Sequence, residues 1–277
     1  MKNLPPKHIV FLHIPKAGGT TLRDVLQRQY SQEEIFEVGE DINGDIKRFR
    51  ATPAKLLYRK RLLIGHMSHG LGRFFPGTTI CLTMLRHPVA RVYSEYRFLS
   101  SNQFHPLYPI VAPLNYHQYL EVDPTRQAGN GQTRLLSGST YGDQTGVPGI
   151  EPLHQAHLTR ALDHLKRHYP IVGLLEWFDE SLMLWCGQFN WRYPLYEKKN
   201  ITKRASRPLD DSEIEHTLEK NQFDVALYKQ AVIQFEENLK KQPQSFQRKL
   251  TAFKLLNKSY QKTKLYGRAV KQKMMAS

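Results

Sequence analysis

Apolar residues run almost without a break from Ile9 to Ile14. That is the pattern of a strand buried on both faces of a parallel sheet, not the alternation of a half-exposed one. The run stops at Pro15. From Leu22 the spacing changes, and Leu22, Val25 and Leu26 fall on one helical face. The same switch recurs downstream. Leu62-Leu63-Ile64 predicts a second short strand, ending at Gly65-His66, and Thr79 to Leu85 a third, ending at Arg86. Val89, Val92, Tyr93 and Tyr96 then mark a helix with Pro88 in its first turn. A helix over 153–168 leads into a fourth strand, Ile171 to Leu175, and Leu182, Trp185, Cys186 and Phe189 give another helical face. Residues 31–60 are mixed and predict no element.

The second half reads as helix. Asp210 with Glu213 matches a capping box opening a helix toward Asn221, and Asp224 is expected to cap the helix carrying Val225, Tyr228, Val232 and Phe235. Residues 100–150, rich in Pro, Gly, Asn and Tyr, predict irregular surface with short helices, a region suited to binding an acceptor. Strands alternating with helices indicate an α/β fold, a mostly parallel central sheet flanked by helices.

Charge divides the chain in two. Its 40 Lys and Arg against 25 Asp and Glu give a net +15. Eleven of the basic residues and none of the acidic ones lie in 240–277, so the body, 1–239, is only mildly basic. Phe246, Leu250, Phe253 and Tyr260 place one apolar face on this basic tail, which is expected to pack on the body or to touch an anionic surface. Cys81 and Cys186 sit in apolar patterns and predict buried free thiols. With no signal peptide or spanning segment in view, a cytoplasmic location is expected.

The candidate chemistry lies where strands end. After the first strand comes Pro15-Lys16-Ala17-Gly18-Gly19-Thr20-Thr21. Glycines let backbone N–H groups approach an anion, a helix N-terminus favours negative charge, and Lys16 and the threonines add a cation and hydroxyl donors. In an ATP-type loop the lysine follows the glycines. Here it precedes them, and the order resembles the 5′-phosphosulfate loop of sulfotransferases that use 3′-phosphoadenosine 5′-phosphosulfate (PAPS). After the third strand, Leu85-Arg86-His87-Pro88 continues through Arg91 to Ser94 and Tyr96. Arginine offers a planar fork for phosphate and serine a further donor. This segment resembles the 3′-phosphate motif of the same enzymes.

Together the two motifs resemble the carbohydrate sulfotransferases of the heparan sulfate 2-O and 6-O type, over nearly the full length to about residue 240. Asn130-Gly-Gln-Thr-Arg, Val172-Gly-Leu-Leu-Glu-Trp-Phe, Asn200-Ile-Thr-Lys-Arg and Asn221-Gln-Phe-Asp resemble later segments of that family. The chain departs from it at His87, where the family commonly has Asp, and in having no membrane anchor, as a soluble microbial relative would.

The resemblance implies a P-loop-like sulfotransferase fold and specific roles. Lys16, Gly18, Gly19, Thr20 and Thr21 would hold the phosphosulfate, with Lys16 also neutralising the leaving phosphate. Arg86 and Ser94 would hold the 3′-phosphate, and Thr202, Lys203 and Arg204 would close over the nucleotide. His66 would be the catalytic base, with His69 as the alternative and His13 structural; histidine suits the task because its pKa lies near neutrality. Gln132 and Arg134 are expected on the acceptor side. The acceptor would be a carbohydrate hydroxyl and the product adenosine 3′,5′-bisphosphate (PAP).

No zinc or calcium motif is visible, and the third strand ends in Arg86, not in a metal-binding Asp, so no metal is expected. No nucleic-acid recognition motif is present either. A nucleotide-dependent kinase and a non-catalytic binder of acidic polymers stay open as rival readings.

Overall fold

The computed structural model describes residues 8–138, 152–198 and 207–276. Five parallel strands form one sheet: β1 (His8–Leu12), β2 (Ile35–Val38), β3 (Leu62–Gly65), β4 (Thr79–Leu85) and β5 (Gly173–Leu174), in the order β2-β3-β1-β4-β5. All five residues of β1 are buried, as its unbroken apolar run requires. The strand over Thr79–Leu85 forms as predicted, and the fourth predicted strand contracts to two residues. β2 is an addition. It falls in the stretch where the sequence predicted nothing, because a four-residue edge strand containing Glu37 shows no continuous apolar run.

Twelve helices occur among the described residues. The first six are α1 (Gly19–Gln27), α2 (Ile42–Ala51), α3 (Ala54–Leu57), α4 (Pro88–Ser101), α5 (Tyr108–Val111) and α6 (Tyr116–Val122). The rest are α7 (Gly131–Leu136), α8 (Gln155–His168), α9 (Phe178–Phe189), α10 (Asp211–Lys220), α11 (Gln222–Lys240) and α12 (Gln244–Ala276). Among the described residues, no helix is long and apolar enough to cross a membrane.

One large core joins the sheet to α1, α8, α9, α11 and the start of α12, through residues such as Phe11, Leu22, Leu63, Leu165, Trp185 and Phe235. Phe246, Leu250 and Phe253 of α12 belong to this core. Two polar ties reinforce them: Asn257 Oδ1 accepts from the Tyr196 N–H at 2.8 Å, and Lys254 Nζ meets Glu180 at 2.6 Å. A smaller core gathers Val92 and Leu99 of α4 with Tyr116 and Tyr119 of α6. Cys81 is buried and Cys186 partly so, both as free thiols.

The capping box of Asp210 and Glu213 forms as predicted. Asp224 does something else. It is fully buried in the first turn of α11, and its carboxylate accepts from the N–H groups of Gln132 (3.0 Å) and Thr133 (2.7 Å), so it caps α7 instead of its own helix. The cap of α11 comes from Asn130, whose Oδ1 accepts from Phe223 and Asp224 N–H at 2.9 and 3.1 Å. Each helix thus supplies the cap of the other.

Candidate active site

A parallel sheet directs all its strand ends to one edge, and ligands bind there. In this protein a cavity of about 1000 Å³ opens at that edge, with the loop from Pro15 to Thr21 in its wall. The loop's shape needs its glycines. Gly18 has φ 77°, and an added Cβ would lie 2.6 Å from Leu175 Cδ1. A Cβ on Gly19 would fall 1.9 Å from His13 Cδ2. Helix α1 begins directly after Gly18, which offers no side-chain cap. The end of that helix therefore faces the cavity with the dipole polarity that attracts an anion.

Lys16 stands at φ 64°, and its Nζ lies 3.9 Å above the ring centre of Phe98. Burial lowers its pKa below the ordinary lysine value, with Glu95 pulling the other way and Arg86 adding to the fall. Arg86, at the end of β4, reaches back to the same loop, its Nη1 donating to the Lys16 carbonyl at 3.1 Å. Ser94 lines the cavity from α4, two turns beyond Pro88. The two predicted nucleotide motifs therefore meet in one space.

The arginine is held from behind. Gln132 accepts from the Arg86 N–H at 3.0 Å and donates to the Arg86 carbonyl at 2.9 Å. It is fully buried and does not line the cavity, so its amide is engaged away from any acceptor. Arg134, its companion in the acceptor expectation, is also absent from the lining. The backbone at His87 is held by a carboxylate from elsewhere in the chain. Glu176 Oε1 accepts from the His87 N–H at 2.9 Å, while its other oxygen accepts from Tyr228 Oη at 2.8 Å. The sequence signal for Glu176 was weak, since nothing local marks a carboxylate that acts across the sheet.

Two histidines stack at the β1 and β3 ends. His13 and His66 have ring centres 4.2 Å apart, and both line the cavity. The His66 Nδ1 lies 3.0 Å from the His13 carbonyl. A carbonyl only accepts, so Nδ1 carries the proton and Nε2 holds the lone pair in the neutral ring. Burial lowers the His66 pKa, partly offset by this hydrogen bond, and burial with the neighbouring His66 lowers that of His13 strongly. His69 points elsewhere. Its ring stacks on His164 at 3.9 Å, its Nδ1 meets Tyr169 Oη at 3.2 Å, and it does not line the cavity. Burial brings its pKa down to about 3. The structure thus places His66, and not His69, beside the loop.

The turn that leads into α9 adds Glu176 and Trp177 to the cavity wall, with Phe178 at the helix start. Beside them, Tyr196 Oη donates to Asp179 at 2.7 Å, and Lys254 of α12 reaches the rim. Thr202, Lys203 and Arg204, expected to close over the nucleotide, lie outside the described residues.

No curated protein matches the sequence. Among solved structures, the chain is similar to mouse sulfotransferase SULT7A1 complexed with PAP, at 14% identity and a TM-score of 0.39, over 79% of this chain and 66% of that one. Residues 4–144 match the family model described as the sulfotransferase family. That match covers half of the chain, including the phosphosulfate-type loop, His66, Arg86 and Ser94, and the chain belongs to the sulfotransferase family.

Proposed function

We propose that the chain transfers a sulfuryl group from PAPS to a hydroxyl of a carbohydrate. The observation that carries this reading is the convergence of the Lys16–Thr21 loop, Arg86, Ser94 and His66 on one cavity of about 1000 Å³. Those residue types fit the donor. A glycine loop at a helix N-terminus suits the phosphosulfate, and a separate guanidinium with a hydroxyl suits a second phosphate on the same nucleotide.

When bound, PAPS supplies an activated sulfuryl group and a phosphate leaving group. His66 Nε2 takes the proton of the acceptor hydroxyl, and its lowered pKa keeps the ring neutral for that task. The acceptor oxygen forms a bond to sulfur as the bond from sulfur to the phosphate oxygen breaks. Lys16 meets the charge that builds on the departing phosphate. The products are a sulfate ester, PAP and a proton held on His66.

Calorimetry with PAP, AMP and ATP tests the donor. PAP is expected to bind at least about tenfold more tightly than AMP, the equivalent of roughly 1.4 kcal/mol for the 3′-phosphate contacts. Equal affinity for all three, or no binding, overturns the reading.

A further inference from the structure

Helix α12 changes character at Asn257. Phe246, Leu250, Phe253 and Asn257 recur at helical spacing on one side of it, and all four are buried. Beyond Asn257 the helix continues to Ala276, roughly 28 Å further along its axis. No side chain from Lys258 to Leu265 is buried.

A second stripe runs along a different side. Leu256, Ser259, Thr263, Tyr266, Val270 and Met274 also recur at helical spacing. At about 100° of turn per residue, it lies roughly 120° around the helix from the face packed on the body. Leu256 is 53% exposed, and Ser259 and Thr263 are exposed with it. This side of the helix is therefore not the one that the large core covers.

The charges keep off the second stripe. Residues 254–276 hold seven Lys and Arg and no Asp or Glu. The helical step places all seven outside a sector of roughly 120° that contains the stripe together with Tyr260 and Gly267. Lys262 and Lys273 fall at one border of that sector, Lys264 and Lys271 at the other. Lys254, Lys258 and Lys262 follow one another four residues apart, where like charges repel. Lys254 pairs with Glu180, but Lys258, Lys262 and Lys264 meet no carboxylate among the described residues. An anionic partner relieves that repulsion.

An uncharged stripe bordered by lysines suits one such partner best. A helix lying in a lipid headgroup layer turns apolar positions toward the acyl chains and cations toward the phosphates, with lysine stems spanning the boundary. A nucleic acid or an acidic polysaccharide uses the cations alone and leaves Leu256 in water. A second copy of the chain would set lysines against lysines along the stripe, with no acid to offset them.

We propose that α12, from Leu256 onward, docks the protein on an anionic lipid bilayer. The helix lies along the surface, the stripe in the headgroup layer and the cations against acidic lipids. It does not cross, since no helix among the described residues is long and apolar enough to do so. Phe246, Leu250 and Phe253 fasten the same helix to the large core, so docking tethers the folded body and not a loose tail. The tether is independent of what the cavity binds.

Co-sedimentation of the full chain with phosphatidylcholine vesicles, with and without about 30% phosphatidylserine, tests this. The mixed vesicles are expected to bind at least about tenfold more tightly than the neutral ones. Lys262→Gln with Lys264→Gln should weaken that binding about tenfold or more, because each cation near an anionic leaflet counts for about fivefold. Leu256→Gln with Val270→Gln changes no charge and keeps good helix formers, and should weaken it about tenfold as well. None of the four positions lines the cavity, so both variants should keep the wild-type thermal midpoint and PAP affinity. Should either pair melt early, the single variants Lys262→Gln and Leu256→Gln are expected to show losses of about threefold. The proposal is overturned if neither vesicle is bound or both are bound equally. It is overturned too if the folded apolar variant binds mixed vesicles like the wild type, which would leave the cations to a polyanion such as RNA or heparin. A wild-type dimer that the apolar variant dissociates would give the stripe to a second copy and overturn it likewise.

Discussion

The side-chain amide of Gln132 spans the backbone of Arg86, accepting from its N–H and donating to its carbonyl. Two hydrogen bonds on one residue fix the peptide planes on both sides of it, and with them the direction in which the guanidinium leaves the strand. Gln132 is itself fixed by Asp224 at the start of α7. Gln132→Leu leaves two backbone groups unpaired and frees Arg86 to turn. Its affinity for PAP should fall about tenfold while its affinity for AMP stays within about threefold, since only the 3′-phosphate contact is loosened. Titration calorimetry with both nucleotides checks this, and an equal loss for the two would show general damage instead.

His66→Ala should lower the transfer rate by about 10²–10⁴, the usual contribution of a positioned base, with PAP binding retained. Its pH dependence carries a sign. Burial holds the His66 pKa below 6.5, so the neutral base persists into mildly acidic solution and the acid limb of kcat should fall below pH 6.5. A limb centred above that value would assign the proton to another group.

Gly19→Ala puts a methyl group onto the His13 ring, a rigid neighbour that already stacks on His66. Overpacking of this kind costs about 1–3 kcal/mol. The variant should lower the thermal midpoint and reduce turnover together, because the His13 ring that shifts is stacked on His66. Gly187→Ala, whose added Cβ would meet nothing within 4 Å, is the matched control and should leave turnover unchanged.

The histidine stack on α8 makes stability depend on pH. His69 has a folded pKa of about 3 against 6.5 for the free side chain. Between those values the unfolded chain binds a proton that the folded chain refuses. The contribution is therefore complete above pH 6.5 and is lost as pH falls toward 3, at up to about 1.4 kcal/mol per pH unit. His69→Gln should flatten the decline seen in denaturant melts across that window. An unchanged slope would place the proton uptake elsewhere.

The cavity-lining loop and the Arg86–Ser94 segment were legible as neighbours of strand ends because their signals are local. A strand, a glycine loop and a helix start follow one another within a dozen residues, and Arg86 to Ser94 is again one continuous piece. His66 was readable for the same reason, as the residue directly after β3. What stayed hidden depends on partners far along the chain. Gln132 looked like an acceptor contact because nothing near it shows that Asp224, some ninety residues later, turns α7 inward. His69 stood as the alternative to His66; its backbone N–H, bonded to the Leu135 carbonyl at 2.9 Å, and its ring, stacked on His164, place it toward α8. β2 escaped notice because Glu37, which pairs with Arg23, interrupts its apolar pattern. β5 is short, and Gly173 leaves room there for Trp185, whose ring would lie 2.4 Å from an added Cβ.

The central strand of the sheet comes first in the chain, and its partners follow only after long intervals. β1 pairs only with β3 and β4, with Ile9 opposite Leu62 and His8 opposite Thr79, so its first partner arrives roughly fifty residues after it. Pairing of this kind has to close long loops before it is rewarded, which slows folding. The loop that begins at Pro15 hangs from the end of that strand and takes its shape against His13, Leu175 and Phe178. Its shape, and the anion site proposed for it, are therefore properties of the finished sheet and not of the peptide that carries it. A nucleotide that binds there acts on the folding equilibrium as a reward for completion, holding the native state in place without hastening the steps that lead to it.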